Sequence, residues 1–314
     1  MKAQVVSVQN QRCIMQFNTV GGALIDFHFL EDCINPLNFQ MPYTSLTGRS
    51  EKFEGHFICL GRWGDPSRAE GARGIEKHGD IRLQHWKTEQ TGRALSMRAT
   101  SVTEGLSIER NIYLDEQEAC FVARESITNI GSLGRLYNVV QHPTIAQPFL
   151  NDQTTIYSNG LIESPHVYAN CVFPFIVNPD DVYGWITAYS PAHQLMLGYV
   201  WKRIDYPWIN HWIHNVDGSA VYRGLEFGTT GLHQPFNEII ANNLMHVSGE
   251  STCSYIDAGE IHERSYIGFL MKMTHSFKGV MSVTLKDRKI VIEEKETARA
   301  FIISHNIDAN GLLN

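Results

Sequence analysis

Three separated segments carry residues able to move protons and could converge on one sugar-sized site: His78-Gly79-Asp80-Ile81-Arg82, Gln141-His142-Pro143 and Arg223-Gly224-Leu225-Glu226-Phe227-Gly228. Together they offer two imidazoles, guanidinium groups and a carboxylate. Such a set can protonate one oxygen while deprotonating another, which is the minimum needed to open a cyclic sugar. Each segment lies in or beside a strand-like run, so convergence on one site is expected.

Glu226 is the leading candidate for a base. Its surroundings are poor in other acids, and flanking glycines permit close approach of backbone to ligand. A carboxylate among apolar neighbours has a raised pKa, which suits a base working near neutral pH. The structural alternative is an ion pair with Arg223. His142 follows an apolar run, Leu136–Val140, and precedes Pro143, so the chain is expected to leave the sheet there and present a proton donor. His78 follows the glycine-containing stretch 62–77, which suits a pocket rim. Arg62 and Arg82 are candidates for orienting ring hydroxyls by charge-assisted hydrogen bonds. Three Trp, one Tyr and two His fall within Trp201–His214. Aromatic faces stack on the apolar faces of sugars, so one Trp, Trp208 or Trp212, is expected in the pocket. Lys202, with Arg203, suggests an acidic substituent on the sugar.

The elements that must position these groups are strands. Leu106, Ile108, Ile112 and Leu114 share one face, interrupted by Arg110. Met281, Val283 and Leu285 alternate, then a polar break precedes Ile290 and Ile292, which is a hairpin pattern. Further strand-like runs span Val5–Phe17, Ala23–Phe29, Ala119–Thr128, Leu136–Gln141, Gly184–Tyr189, Leu195–Val200 and Ser265–Met273. Helix candidates are few and short, such as Pro235–Asn243. The loop-rich stretch Asn151–Asp181, with Pro165, Pro174 and Pro179, reads as a folded excursion. A mainly β fold of two large sheets packed face to face follows, with residues 1–314 as one domain.

The chain has 314 residues, 43% hydrophobic and 19% charged, with a formal net charge of -7. That suits a soluble globular protein and argues against a nucleic-acid partner. No apolar stretch approaches the ~20 residues that span a bilayer, and the N-terminus lacks signal-peptide features. No membrane association is expected. Six scattered cysteines with no CxxC pair suggest free, mostly buried thiols in a reducing cytoplasmic setting, and no zinc-thiolate site. His211 and His214, three apart, would share a helix face but not a strand face. No metal and no cofactor are expected.

The motifs, taken in order, resemble the galactose mutarotase (aldose 1-epimerase) superfamily. The matching stretches are Gly21-Gly22-Ala23-Leu24-Ile25, Gly61-Arg62-Trp63-Gly64, His78-Gly79-Asp80-Ile81-Arg82 with Trp86, Asn129 with His142-Pro143, and Leu225-Glu226-Phe227 with Asp257-Ala258-Gly259-Glu260. Thr144 stands where the family has an aromatic residue, and Gly64-Asp65 stands where it has Asn-Arg. Its substrate-binding aspartate has only Asp205 or Asp217 as counterparts. The resemblance implies an antiparallel β-supersandwich and a small-molecule carbohydrate as partner. It also implies Glu226 as base and His142 as acid in anomer interconversion, with His78 and Arg62 holding the substrate. A homodimer is the assembly considered. The rival functions are a non-catalytic carbohydrate-binding protein on the same scaffold, or an isomerase or lyase acting on an acidic sugar.

Overall fold

Alternating apolar residues build two eight-stranded antiparallel sheets in the computed structural model, which describes residues 4–46, 48, 50–159, 170–297 and 299–306. In spatial order the first sheet contains Val5–Gln9, Cys13–Asn18, Leu24–Phe29, His56–Leu60, Val139–Ala146, Ser219–Gly228, Trp208–Val216 and Cys171–Ile176. The second runs Thr155–Ser158, Tyr183–Ser190, Leu195–Lys202, Ile261–Lys272, Cys120–Asn129, Leu106–Leu114, Ala94–Ser101 and Lys87–Thr91. Their facing sides interdigitate through Phe27, Ile58, Phe121, Leu197, Tyr199 and Phe227, all essentially inaccessible. This is the face-to-face β-sandwich expected from the alternation.

The expected C-terminal hairpin is present as Val280–Lys286 and Lys289–Glu294, joined by a third strand, Ala300–Ser304. Val283, Ile290 and Ile292 cover Val122, Val200 and Phe269 on the outer side of the second sheet. The outer side of the first sheet is flanked instead by a two-stranded hairpin, Gln40–Thr44 with Ser50–Glu54. Among the described residues the only α-helices are Arg68–Gly71 and Phe236–Ala241, the latter inside the segment expected to be helical. No helix among them is long and apolar enough to cross a membrane. All six cysteines are free; Cys13, Cys59 and Cys120 are buried, and Cys33 is exposed.

Two expectations need correction, and the folded excursion gains definition. Val5–Phe17 is two strands, because the Asn10 side chain accepts the amides of Arg12 and Cys13 and closes a turn. The Asn151–Asp181 excursion supplies an edge strand to each sheet, Thr155–Ser158 and Cys171–Ile176, while 160–169, including Pro165, lies outside the described residues. The chain does not leave the sheet at Pro143. A separate short strand, Arg135–Tyr137, pairs with Ser254–Ile256, and the strand carrying His142 runs from Val139 through Pro143 to Ala146. Pro143 is accommodated because regular pairing with Ser219–Gly228 lapses locally. Gln141 pairs with Phe227 and Thr144 with Gly224, with no ladder partners between them.

Arg110, the apparent flaw in the Leu106–Leu114 pattern, is the centre of a polar cluster between the sheets. Its Nε donates to Glu125 Oε1 at 2.7 Å and its Nη1 to the Gly22 carbonyl at 2.9 Å. Gln141 Nε2 donates to Glu125 Oε2 at 2.7 Å and to the Tyr206 hydroxyl at 3.1 Å, while its Oε1 faces His56 Nε2 at 3.2 Å. Gln141 precedes His142, so this cluster anchors the functional strand from behind. A buried ion pair that loses one member leaves an uncompensated charge and costs about 3–5 kcal/mol. Arg110→Met is therefore expected to lower the urea-unfolding free energy by about that amount; a loss near zero would show that Glu125 needs no counter-charge.

Candidate functional site

Cross-strand register assembles the site on the outer side of the first sheet. Phe57 pairs with His142, and Glu226 pairs with Asn210. Continuing the register from Gln141–Phe227 to Thr144–Gly224 sets His142 opposite Glu226. Phe57, His142, Glu226 and Asn210 thus form one row across four central strands. The next row on the same side is Thr144, Gly224, Trp212 and Val172. Two-residue periodicity turns Gln141, Leu225, Phe227 and His211 the other way, into the sandwich.

The row brings His142 Nε2 within 3.0 Å of Glu226 Oε1. His142 Nδ1 lies 3.0 Å from Thr144 Oγ1. The Phe57 ring stacks on the imidazole with centroids 4.2 Å apart. Both titratable groups are almost wholly withdrawn from water, His142 at 6% and Glu226 at 1% exposure. Burial pushes the His142 imidazole down to about 3. Burial also holds the Glu226 carboxyl well above the usual carboxylate range, with the nearby Trp63 indole opposing this in part. Opposite shifts favour a neutral pair sharing one proton, in which the Glu226 acid donates to His142 Nε2 and His142 Nδ1–H donates to Thr144. Glu226 Oε2 is buried without a hydrogen-bond partner. Arg223 does not pair with Glu226; it donates to the carbonyls of His214 and Tyr222 and to Asn215.

Glu226 fits only because its neighbour lacks a side chain. A Cβ on Gly224 would lie 2.7 Å from Glu226 Oε1 and 2.9 Å from Trp212 Cβ. His78 arrives from the loop side and is held in the left-handed region at φ 62°. Two hydrogen bonds to Gly64 hold that conformation: the Gly64 amide donates to His78 Nδ1 at 3.1 Å, and the His78 amide donates to the Gly64 carbonyl at 2.9 Å. Nδ1 is therefore an acceptor, and burial with the neighbouring His142 keeps the ring's pKa well below its ordinary value. The neutral His78 ring carries its proton on Nε2. Its centroid lies 5.9 Å from that of His142.

These groups line a cavity of about 300 Å³. That is at the small end of the range for small-molecule sites. Its polar lining includes Trp63, Asp65, Lys77, His78 and His233, with Lys77 Nζ 3.4 Å from Asp65 Oδ1. Phe39, Met41, Pro42, Val172 and Trp212 line it too. Trp212 is set by edge contact with Phe39 and by stacking on Tyr222.

Of the expected site residues, Glu226, His142, His78 and Trp212 meet at this cavity, and four do not line it. Arg62 is held by Glu104 and Glu70 in a buried cluster. Arg82 lies between the Tyr43 and Phe53 rings, 4.4 Å from each centroid, and its Nε donates to the Lys77 carbonyl. Lys202 ends a strand of the second sheet, opposite Tyr183. Trp208 is on the correct face but is buried against Gly231, with its indole N–H donated to the Ser251 carbonyl. Arg203 pairs with Glu250. Asp205 accepts the Ser265 amide, and Asp217 occupies a turn; neither lines the cavity. His211 and His214 are on a strand and face opposite ways, and no group of three metal-type ligands occurs among the described residues. Sequence reasoning missed Phe39, Phe57, Trp63, Asp65, Lys77, Val172 and His233 as lining residues. The glycine-containing rim loop pointed towards Trp63, Asp65 and Lys77; nothing marked His233.

The chain is a β-sandwich that carries a buried His–Glu pair beside a cavity on the outer face of one sheet. Solved structures place that sandwich among known folds. A candidate aldose 1-epimerase from Escherichia coli K12 superposes with a TM-score of 0.64 at 13% identity, over 87% of this chain and 100% of that one. A galactose mutarotase related enzyme from Lactobacillus acidophilus gives 0.61 at 10% identity, over 86% and 98%. A galactose mutarotase-like protein from Lactobacillus casei gives 0.60 at 12% identity, over 85% and 100%. The chain has the galactose mutarotase-like fold, as its ordered motifs imply. No protein-family model and no curated protein sequence matches it.

Two expectations follow. Gly224→Ala must displace Glu226 or Trp212 and should cost about 1–3 kcal/mol of stability; an unchanged unfolding midpoint would mean the contact relaxes freely. The pH dependence has two opposed parts. The unfolded state takes up a proton on His142 that the native state refuses, so stability falls as pH drops from about 6.5 towards 3. Native Glu226 keeps a proton that the unfolded chain releases above about 4.3, so stability also falls as pH rises from there towards its raised native value. Glu226→Gln should remove the second loss. Relative to the parent, its urea-unfolding free energy is expected to improve steadily as pH rises above about 4.3; a pH-independent difference would contradict a buried, protonated Glu226.

Proposed function

We propose that this cavity binds a small carbohydrate and interconverts its anomers, an aldose 1-epimerase-like reaction. One observation carries the proposal: a desolvated His–Glu pair, 3.0 Å apart, borders an aromatic cavity of about 300 Å³. The shared proton first passes from Glu226 to His142 Nε2; Glu226 then takes the proton of the anomeric hydroxyl while His142 delivers its own to the ring oxygen. The C1–O5 bond breaks, the aldehyde rotates about C1–C2, and reclosure on the other face reverses both transfers. The pair carries one proton before and after, so nothing else is consumed. Glu226 also lines the cavity, so a small shift of its side chain brings the carboxyl to a bound sugar. The Nε2–H assigned to His78 suits it to hold a sugar oxygen and stabilise charge as it develops.

Mixing the protein with a panel of neutral, phosphorylated and acidic aldoses and following anomer exchange by NMR tests this. Exchange above the buffer rate, reduced about 10²–10⁴-fold in Glu226→Gln, is expected. A second reading is non-catalytic sugar binding. It is favoured by the same direct contact, since His142 and Glu226 already satisfy each other. Saturable binding with no exchange across the panel would establish it instead.

A further inference from the structure

A ring hydroxyl both donates and accepts, so a cavity that holds a sugar needs acceptors as well as donors. Few side chains bordering this one have an acceptor to spare. His142 and Glu226 face each other at 3.0 Å. The Tyr43 hydroxyl is donated to Glu76. Asp65, largely exposed, has Lys77 Nζ at 3.4 Å. His78 Nδ1 accepts the Gly64 amide, which leaves that ring only its Nε2–H. Trp63 and Trp212 carry indole N–H groups and no acceptor. Asp205 and Asp217, the carboxylates suggested by sequence, do not line the cavity.

His233 does line it, and its ring makes no hydrogen bond among the described residues. A neutral imidazole offers one donor and one acceptor. Local structure fixes where this one sits. Thr230 Oγ1 accepts the Leu232 amide at 3.0 Å, and the Thr230 carbonyl accepts Asn210 Nδ2 at 2.9 Å, so the chain is tied to the first sheet just before His233. The His233 carbonyl packs on Gly64, where a Cβ would come within 2.0 Å of it. The His233 ring meets the Trp63 ring edge-on, with centroids 5.8 Å apart. Gly64 therefore places both imidazoles, His78 through its amide and His233 through having no side chain. Charge on His233 is among the causes that hold down the pKa of His78, as expected of neighbours. We propose that His233 is a specificity-determining residue of this cavity: its imidazole accepts the proton of one ring hydroxyl of a bound sugar, beside the oxygen held by His78. This rests on the carbohydrate reading of the cavity but not on anomer exchange.

The test measures Kd by NMR titration for glucose, galactose and their 2-, 3- and 4-monodeoxy analogues. The parent protein is compared with His233→Phe, which keeps a ring against Trp63 and removes both nitrogens. The Kd of the better-bound parent sugar should rise about 3- to 10-fold in His233→Phe, the effect of losing one hydrogen bond. One of its monodeoxy analogues should bind the two proteins equally, because the hydroxyl that His233 holds is already gone. His233→Gln, which restores an acceptor, should recover part of the loss. An unchanged Kd for both parent sugars, or the same loss for every analogue, overturns the inference. Anomer exchange is followed in the same samples. The expected Kd pattern without exchange removes the epimerase reading alone. Exchange with no effect of His233→Phe on Kd removes the role of His233 alone, and no binding of either sugar removes both.

Discussion

A strand buried on both faces must find partners for polar groups pointing in both directions, and Val139–Ala146 is such a strand along its whole length. Gln141 and His142 are adjacent, so one points into the sandwich and the other out of it. Neither retains much water, and each must be satisfied by its own side of the sheet. Gln141 is met by Glu125, Tyr206 and His56, and through Glu125 by Arg110. His142 is met by Glu226 and Thr144. The inner cluster and the outer site are two consequences of one strand having lost its solvent. The C-terminal hairpin, by covering the second sheet, leaves the first sheet's outer side as the place where a ligand can reach such a strand.

The same burial decides the state of the pair. An imidazolium and a carboxylate in contact attract strongly at low dielectric, yet both pay for desolvation. The directions of the two shifts put the neutral form lower, with the proton on Glu226. Ring opening in the sense proposed needs that proton on His142. Transfer along a 3.0 Å hydrogen bond moves it without exchange with water, and a bound sugar, which brings dipoles into the cavity, favours the charge-separated form. Thr144 supports either form, because its hydroxyl accepts from His142 Nδ1 in both. An aromatic residue at that position could not do so, and here the chain departs from the family pattern with a specific consequence for the histidine.

Much of the fold was legible because alternation is local. Leu106–Leu114 and Met281–Ile292 declare their inward faces within a few residues. The meeting of His142 with Glu226 was legible too, through short motifs whose order resembles a known superfamily. The fates of the arginines were not. Arg62 is claimed by Glu104, which is 42 positions away, and Arg82 by the rings of a hairpin more than 25 positions earlier. The outer face of His56–Leu60 was hidden for a different reason. All five residues are buried, so Phe57 and Cys59 carry no alternation to separate them from His56 and Ile58. Trp208 and Trp212 show the limit of parity itself: they share a face, and only Gly231 and Ser251, from distant segments, enclose one and leave the other at the cavity.

At 10–13% identity to its structural neighbours, the chain separates two layers that are usually discussed together. The position of the histidine and glutamate is set by sheet register, which tolerates wide sequence change provided alternation and the small residue at Gly224 persist. Much of the remaining cavity lining comes from loops and the Gln40–Thr44/Ser50–Glu54 hairpin, where a single substitution changes the surface presented. Arg62 illustrates the second layer. Glu70, three residues after Ser67 in the rim loop, caps the helix at Arg68–Gly71 and binds Arg62 with the same carboxylate. The geometry that starts this helix therefore also withdraws the arginine from the cavity. In the proposed reaction, proton transfer therefore depends on the ladder and sugar selection on what the loops pair.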